Sequence, residues 1–581
     1  MQRNISLSVN TKQDKSDLQK ALKDMKKIFI SIGIYSFFLN LLMLAPPFYM
    51  LVVYDIVMPS NNIDTLILVT AIAIMFFIGM WILEFVRAKI LIYASNRLDL
   101  VMNKRIFNTT FDLASKYPNR ANIQPFRDFS TIKNFLGGSA IVAFFDFPWF
   151  PLYIAIMFAF SPIYGLYGLG ATVIIILLTF LNEKATKDGL EASNEEYQKA
   201  VGFFDNNIRN VEVVKAMGMK ENLHHIWMDK YNKYLMIQTK ASQTASFYSN
   251  ASKSFRMMSS SLMYGVGALL AIAGLISPGM IIAGAVLLGR ALQPISQVIA
   301  SWKSFTNAKM AYHKLNDLLL EFPEEDDKLV LPEPKGIIRF EGVVTIPPLG
   351  EKAVLKGISL QINSGEMVGI IGPSAAGKSS FVKCAVGVWS PSGGNIRIDG
   401  ADISQYDSVK LGKHIGYLPQ DIELFEGTIA QNIARFNFDA TDEDIITAAK
   451  LSGTHELILN LPHGYGSRVG VSGMSLSGGQ KQRIGLARAM YGNPKMVILD
   501  EPNSNLDDAG EYALMMALRV LKDKGVTVIF VTHKTNLVGL ADKLILMQDG
   551  LVTQYDHTQK VLNILSGENE KAKKISEEGK D

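Results

Sequence analysis

A chain of 581 residues is longer than one ordinary domain, so at least two are expected. Its 48% hydrophobic and 19% charged composition, with a mean hydropathy of +0.17, argues against a protein that is water-soluble throughout. A formal net charge of only +4 gives no ground for a nucleic-acid partner. The single cysteine, Cys384, excludes an internal disulfide framework and a cysteine-ligated metal cluster; it reads as a small apolar residue packed on a helix.

From the N-terminus, residues 1–27 form a polar, lysine-rich run too long for a signal n-region. The apolar segment after it is too long for a signal h-region, so a cytoplasmic N-terminal segment is expected rather than a cleaved leader. A transmembrane domain follows over residues 28–320. Up to about Asn307 the hydrophobicity comes in blocks close to the ~20 residues that cross a bilayer as helix. These predict spans near Ile28–Val53, Thr65–Leu83, Ala140–Phe160, Tyr164–Leu181, Met257–Ile276 and Met280–Ala300. Two of the connectors, Ser161-Pro162-Ile163 and Ser277-Pro278-Gly279, are short enough for helical hairpins in lipid.

Charge sets the orientation. The connectors after the first, third and fifth spans hold no Lys or Arg, whereas the two long ones are basic. The first carries Arg87, Lys89, Arg97, Lys104, Arg105, Lys116, Arg120, Arg127 and Lys133; the second includes Lys184, Lys187, Lys199, Arg209, Lys215, Lys220, Lys230 and Lys233. Both long loops and both termini are therefore expected in the cytoplasm. Leu98–Tyr117 and Glu191–Met217 have the mixture of amphipathic helices, which predicts membrane helices extended into the cytoplasm, with turns near Ile123–Thr131 and Gly202–Asn210 touching the domain that follows in the chain. Separately folded cytoplasmic subdomains are the alternative. Pro46-Pro47 should bend the first span. In the stretch from Phe145 to Pro151, Asp146 is expected to cap the third span and Trp149 to sit at the membrane interface.

A linker, 321–336, rich in Glu, Asp and Pro, leads into a second domain at 337–565. Strand-like runs at Ile337–Val344, Val354–Ile362 and Met367–Ile371 feed a phosphate-binding loop: Gly372, Pro373, Ser374, Ala375, Ala376, Gly377, Lys378 and Ser379, with Ser380 opening the helix. In this pattern the loop amides wrap phosphates, Lys378 reaches the β- and γ-phosphates, and Ser379 coordinates Mg²⁺. A second apolar strand, Met496–Asp500, ends in a carboxylate placed to hold that Mg²⁺. Glu501 beside it fits a general base, because the attacking water must lose a proton as the phosphate bond breaks. The remainder, 566–581, is a polar mixed-charge tail, read as a solvated end.

Between these elements stands Leu476-Ser477-Gly478-Gly479-Gln480, followed by Lys481-Gln482-Arg483. Here the sequence resembles the ATP-binding cassette (ABC) family, over roughly 336–565. The resemblance implies that 476–480 opens a helix and contacts the γ-phosphate of ATP held by the opposite subunit, a site suited to small residues and a helix N-terminus. It also makes Gln420 the Q-loop glutamine at the nucleotide and Mg²⁺, Ser504–Asp507 the D-loop with Asp507 near ATP, and His533 the switch histidine on the γ-phosphate. Two departures stand out. Ala375 replaces a frequent glycine, at a cost on the order of 1 kcal/mol if φ is positive there. The stretch 343–348 lacks the aromatic that usually stacks on adenine, which leaves two alternatives: the base packs against Ile346, or it is held weakly and nucleotide selectivity is relaxed.

One such set with about six spans is half a transporter. The expected fold is an exporter-type membrane α-helical bundle fused to an α/β P-loop ABC ATPase, working as a homodimer that sandwiches two ATP. The resemblance implies that ATP closure moves the helices from inward- to outward-open and that the loop tips transmit the motion. Val53–Pro59, Asp146–Pro151 and Gly289–Pro294 before Trp302-Lys303 resemble the type I secretion exporters of Gram-negative bacteria. Only some two dozen residues precede the first span, and none is cysteine, so the cargo-trimming N-terminal peptidase of some exporters is expected to be absent. The implied setting is the bacterial inner membrane and its lipid, with a periplasmic adaptor (membrane fusion protein), an outer-membrane channel, and an unfolded polypeptide cargo carrying an uncleaved C-terminal signal. A lipid or drug flippase of the same architecture is the alternative. A non-pumping ATP-binding regulator is another, which Glu501 and His533 argue against.

Overall fold

The structure is a computed structural model that describes residues 16–117, 123–208, 210–324, 331–348, 350–470 and 476–566. The start of the N-terminal run, part of the linker, residue 209 of the second predicted loop tip and the polar tail after Ser566 lie outside the described residues. The chain divides into two compact units: Met1–Phe111 with Asn122–Pro323, and Asp112–Ala121 with Glu324–Asp581.

The first unit is helical. It opens with α1 (Asp17–Asp24), capped by the Ser16 hydroxyl, and α2 (Lys26–Leu42). Next come α3 (Ala45–Val52), a π-helical turn Val53–Val57, and α4 (Met58–Ser60). The helix is interrupted just before Pro46 and Pro47, which occupy the first turn of α3, where a missing N–H costs nothing. Then follow α5 (Ile63–Lys116), α6 (Gln124–Gly137), α7 (Ser139–Asp146), a 3₁₀ turn Phe147–Trp149, and α8 (Phe150–Phe160). The series ends with α9 (Pro162–Ile208), α10 (Val211–Ala216), α11 (Lys220–Ile272) and α12 (Pro278–Glu321).

Six helical stretches are long and apolar enough to cross a membrane: Lys26–Ser60, Ile63–Lys116, Ser139–Phe160, Pro162–Ile208, Lys220–Ile272 and Pro278–Glu321. Five of them contain a predicted span whole, and the fifth stretch ends at Ile272, four residues short of the predicted Met257–Ile276. Exposed apolar side chains such as Ile67, Leu68 and Trp81 cover the apolar part of α5, a surface that only lipid or a partner can satisfy. The cytoplasmic loops are continuous extensions of these helices: α5 alone has 54 residues, about 80 Å at 1.5 Å per residue.

Four expectations need correction. Most of each predicted loop tip is helical rather than a turn: α6 begins at Gln124, and α9 runs unbroken through 202–208. The polar N-terminal run is not featureless, because Leu18, Ala21 and Met25 bury one face of α1 against Leu98, Met102 and Ile106 of α5 and Leu315 and Leu319 of α12. Asp146 does not cap the third span. Arg87 is not merely a topology signal: it is buried and donates to Asp146 at 2.8 Å and to the Ser36 hydroxyl at 3.1 Å. The Asn40 amide donates to the same carboxylate oxygen at 3.2 Å, and the Tyr153 hydroxyl donates back to Asn40 Oδ1 at 2.9 Å. A buried ion pair requires such extra partners to offset its desolvation.

The second unit holds two principal sheets. Its strands are β1 (Ile338–Thr345), β2 (Leu355–Ile362), β3 (Met367–Ile371), β4 (Gly393–Ile398), β5 (Ala401–Asp402) and β6 (Ile415–Leu418). They continue with β7 (Gly427–Thr428), β8 (Arg468–Val469), β9 (Met496–Asp500), β10 (Thr527–Val531), β11 (Lys543–Gln548) and β12 (Leu551–His557). Its helices are α13 (Lys378–Ala385), α14 (Ser408–His414), α15 (Ile429–Ile433), α16 (Asp442–Leu451), α17 (His455–Leu459), α18 (Gly478–Met490), α19 (Asp508–Asp523) and α20 (Thr535–Val538).

An antiparallel sheet runs β2-β1-β4-β5, and a six-stranded sheet runs β12-β11-β3-β10-β9-β6, parallel except for β12. Strands β9 and β10 are buried at every residue, as expected where both faces of a parallel sheet are covered. One core joins the two sheets around α13 and includes Phe340, Phe381 and Cys384; another packs α18 and α19 on the far face. The order matters for function. β3, β10 and β9 are neighbours, so the loops leaving their C-terminal ends converge.

Candidate nucleotide-hydrolysis site

Strand β3 ends at Ile371 and α13 starts at Lys378, so 372–377 is a tight loop closed on a helix N-terminus. Gly372 has φ 150°, and a Cβ there would lie 2.2 Å from the Met547 carbonyl oxygen, so only glycine fits. Ala375 has φ 64°, which is the left-handed conformation its replacement of glycine left open. Ala376 is buried, and Pro373 and Gly377 complete the turn. The Lys378 ammonium folds back over the loop and donates to the Gly372 and Pro373 carbonyls, both at 2.8 Å. Burial holds its pKa below the ordinary lysine value, against the opposing pull of Glu501 and Asp500.

Asp500 ends β9 and is 1% exposed. Its Oδ1 has no hydrogen-bond partner among the described residues, a costly state for a buried carboxylate. Burial pushes its pKa above the usual aspartate range, while a hydrogen bond from Ser379 and the charges of Lys383 and Lys378 pull the other way. Glu501 follows with φ 49°. Its two carboxylate oxygens face different groups: Oε2 accepts from the Gln420 amide at 3.3 Å, and Oε1 lies 3.8 Å from His533 Nε2. The Q-loop glutamine, the residue after β9 and the residue after Thr532 are thus one cluster, although 81 positions separate Gln420 from Glu501.

The signature segment forms the start of α18. Ser477 accepts from the Gln480 N–H, and the Gln480 side chain accepts from the Ser477 N–H, a reciprocal capping box. Leu476 is buried beneath it. A Cβ at Gly479 would lie 2.7 Å from the Asn505 carbonyl, so this glycine is needed within its own subunit; Gly478 sits against the same residue. No hydrogen bond or ion pair among the described residues joins 476–480 to the phosphate loop. The Asp507 carboxylate is occupied close to home: it caps α19 through the Gly510 N–H at 2.9 Å and pairs with Arg483. These contacts, the Gly510 hydrogen bond first, lower its pKa. Ile346 is exposed where β1 ends, its N–H bonded to Ser392 Oγ at 3.2 Å.

Two residues with no assigned role in the sequence prove to hold this unit together, one of them at the site itself. Gln482 is buried, and its amide donates to the Pro502 carbonyl at 2.9 Å and to the Glu501 carbonyl at 3.4 Å, pinning the backbone that carries Glu501. Its place after the signature motif was the available signal. Arg435 donates to four main-chain carbonyls, of Gly412, Ile415, Arg488 and Ala489, and so ties α15 to the strand β6 and α18. Burial pulls its pKa down to about 10. Nothing local in the sequence marks it, because its acceptors are backbone atoms from distant positions.

A tight loop closed on a helix N-terminus with a lysine folded over it, a buried carboxylate with an unused oxygen, and a second carboxylate bonded to an amide and facing an imidazole make the arrangement of a P-loop ATPase. Joined to six membrane-crossing helices, this is the architecture of an ABC transporter. The family description "ABC transporter" matches residues 355–504, and "ABC transporter transmembrane region" matches 29–295. A type I secretion system ATP-binding protein, PrsD of Rhizobium meliloti, is 40% identical over 94% of this chain and 94% of its own length. The leukotoxin translocation ATP-binding protein LktB of Mannheimia haemolytica is 29% identical, over 93% of this chain and 77% of LktB. The fold matches a bacterial Atm1-family ABC exporter solved with ATP bound, at a TM-score of 0.79 and 20% identity over 93% of this chain and 96% of that one.

The chain belongs to the type I secretion ATP-binding proteins of the ABC transporter family. It is an ATPase coupled to export, a multi-pass inner-membrane protein with its ATPase domain in the cytoplasm.

Proposed function

We propose that two copies of this chain form the exporter and sandwich two ATP, each between the phosphate loop of one protomer and the signature segment of its partner. The observation that carries this reading is the incompleteness of the site in one chain. The capped N-terminus of α18 points its free amides at no group of its own phosphate loop, while Asp500 keeps an unused oxygen and Lys378 holds only carbonyls. On nucleotide binding, Lys378 exchanges the Gly372 and Pro373 carbonyls for β- and γ-phosphate oxygens, a stronger, charge-assisted pairing. The amides of 374–380 wrap the phosphates, and Ile346 provides an apolar surface for the base.

The residues also fit a divalent cation. Ser379 and Asp500, with Gln420, would hold Mg²⁺, which supplies charge neutralisation on the phosphates. Glu501 takes a proton from water as its oxygen bonds to the γ-phosphorus and the bond to the β–γ bridging oxygen breaks, releasing ADP. His533 donates to the γ-phosphate oxygens and Gln420 orients Glu501. Asp507 acts through its helix cap, shaping the loop that faces the partner.

The cargo is an unfolded polypeptide with an uncleaved C-terminal signal, passed to a periplasmic adaptor and an outer-membrane channel. The likeness to PrsD and LktB over nearly the whole chain supports this over a lipid or drug flippase. The test traps the nucleotide-bound dimer as Glu501→Gln in its native membrane, followed by gentle purification and mass spectrometry. An adaptor together with a protein held through its C-terminal region is the expected result. Lipid alone, without protein partners, would replace this reading with the flippase.

A further inference from the structure

Two cavities flank the same stretch of α12. One, of ≈ 480 Å³, lies between α12, α2, α5 and the α6–α7 junction; the other, of ≈ 420 Å³, lies between α12 and α11. Arg290 and Gln293 line both. Arg290, Gln293 and Gln297 fall at i, i+3 and i+7, so they make one polar stripe on a helix whose Leu287, Leu288, Ala291 and Leu292 are buried. Across the second cavity, Arg256 and Ser260 of α11 stand at i and i+4, again on one face.

The charges around these cavities are not balanced alike. Arg87, which lines the first, is closed by Asp146 and has Glu84 at 4.0 Å. Arg290 and Arg256 make no hydrogen bond or ion pair with any described residue, and neither do the amides of Gln293 and Gln297. From Pro278 to Arg290 is about 18 Å of helix, which places the guanidinium near the middle of a ~30 Å hydrocarbon layer. Glu84 and Asp146 line the first cavity too, but neither forms an ion pair with Arg290 among the described residues, and a cation left so at that depth persists only where it faces water or a ligand.

We propose that Arg290 and Arg256, with Gln293 and Gln297, form a station for carboxylate groups of a polypeptide in transit, so that acidic segments of the cargo are held inside the membrane domain. This rests on the polypeptide-export reading above. A guanidinium presents a planar fork of donors that matches a carboxylate. The glutamine amides both donate and accept, as the N–H and C=O groups of an extended chain require in a medium without bulk water. An anionic lipid phosphate would take the guanidinium and the amide N–H groups but offer the amide carbonyls no donor of its own, so a peptide is the better fit.

The test uses the full chain as a dimer in phosphatidylcholine nanodiscs, with a fluorescent Glu-rich peptide and its Gln-for-Glu counterpart as probes. The Glu-rich peptide should bind more tightly. Arg290→Gln should weaken it about tenfold and Arg256→Gln less, with Arg290→Lys retaining much of the affinity and added salt reducing it. A melting curve identifies a variant that fails to fold; the Arg256→Gln and Arg290→Lys comparisons then decide. Equal binding of the two peptides, or affinity unchanged by both Gln variants, overturns the station. So does Arg290-dependent retention of phosphatidylglycerol, supplied in a parallel set of mixed-lipid nanodiscs, with no effect on peptide, which would make lipid the occupant. Capture of an adaptor and cargo by Glu501→Gln alongside any of these failures would leave the export reading standing and remove only the station.

Discussion

The two units bury charge in opposite ways. In the membrane unit, Arg87 and Asp146 are closed on each other, with Ser36 and Asn40 adding hydrogen bonds and Tyr153 holding Asn40, so each charge of the pair finds its opposite within the chain. In the ATPase unit, Asp500 is as deeply buried, yet one of its oxygens has no hydrogen-bond partner among the described residues, and Lys378 donates there only to carbonyls of its own loop. A closed network holds helices in register and has nothing left to offer a ligand. An open one stores unsatisfied polar capacity that nucleotide and metal can complete. Arg290 belongs with the second kind although it sits in the first unit.

The comparison can be broken by substitution. Glu501→Gln keeps the shape of the open cluster but removes the proton acceptor; turnover should fall by about 10²–10⁴ with ATP binding retained, as read by steady-state hydrolysis beside nucleotide binding. Near-normal hydrolysis would remove Glu501 as the base. Arg87→Ala leaves the Asp146 carboxylate buried without its cation and should cost about 3–5 kcal/mol, seen as a lower melting temperature in detergent, with the Asp146→Asn partner change restoring part of it.

Asp500→Asn should do the reverse of Arg87→Ala. It removes an uncompensated buried charge, so the nucleotide-free protein should gain about 1–2 kcal/mol while hydrolysis is lost. The sign with pH follows from the raised Asp500 pKa, whose main cause is burial. Folding favours the protonated form, so the wild-type penalty is absent in acid and appears as pH rises through the folded value. The advantage of Asn should therefore grow from acid to neutral pH in melting curves. The smallest effect is Ala375→Gly, which relieves the left-handed backbone and should stabilise by about 0.5–1 kcal/mol, with nucleotide affinity equal or higher.

What could be read from the sequence follows the range of the interactions involved. The six spans were legible because a bilayer demands ~20 apolar residues in a row. The loop 372–379 was legible for a similar reason: its spacing is local, and the strand and helix on either side are visible in the same window. The Asp146 pairing was not, since its cation stands 59 positions away and a carboxylate beside a helix start looks like a cap. Nor was α1, whose three apolar residues acquire meaning only against α5 and α12. Arg435 was hidden for the most basic reason, that backbone carbonyls carry no sequence signal.

The central claim is that hydrolysis at Glu501 drives export of protein. The most direct measurement compares proteins in the culture medium of cells lacking this chain, of cells carrying it, and of cells carrying Glu501→Gln. The account predicts that one protein or a small set vanishes from the medium without the chain, accumulates inside with its C-terminal region intact, and returns with the wild type but not with Glu501→Gln. Identical media in all three, with a change confined to membrane lipid, would contradict it.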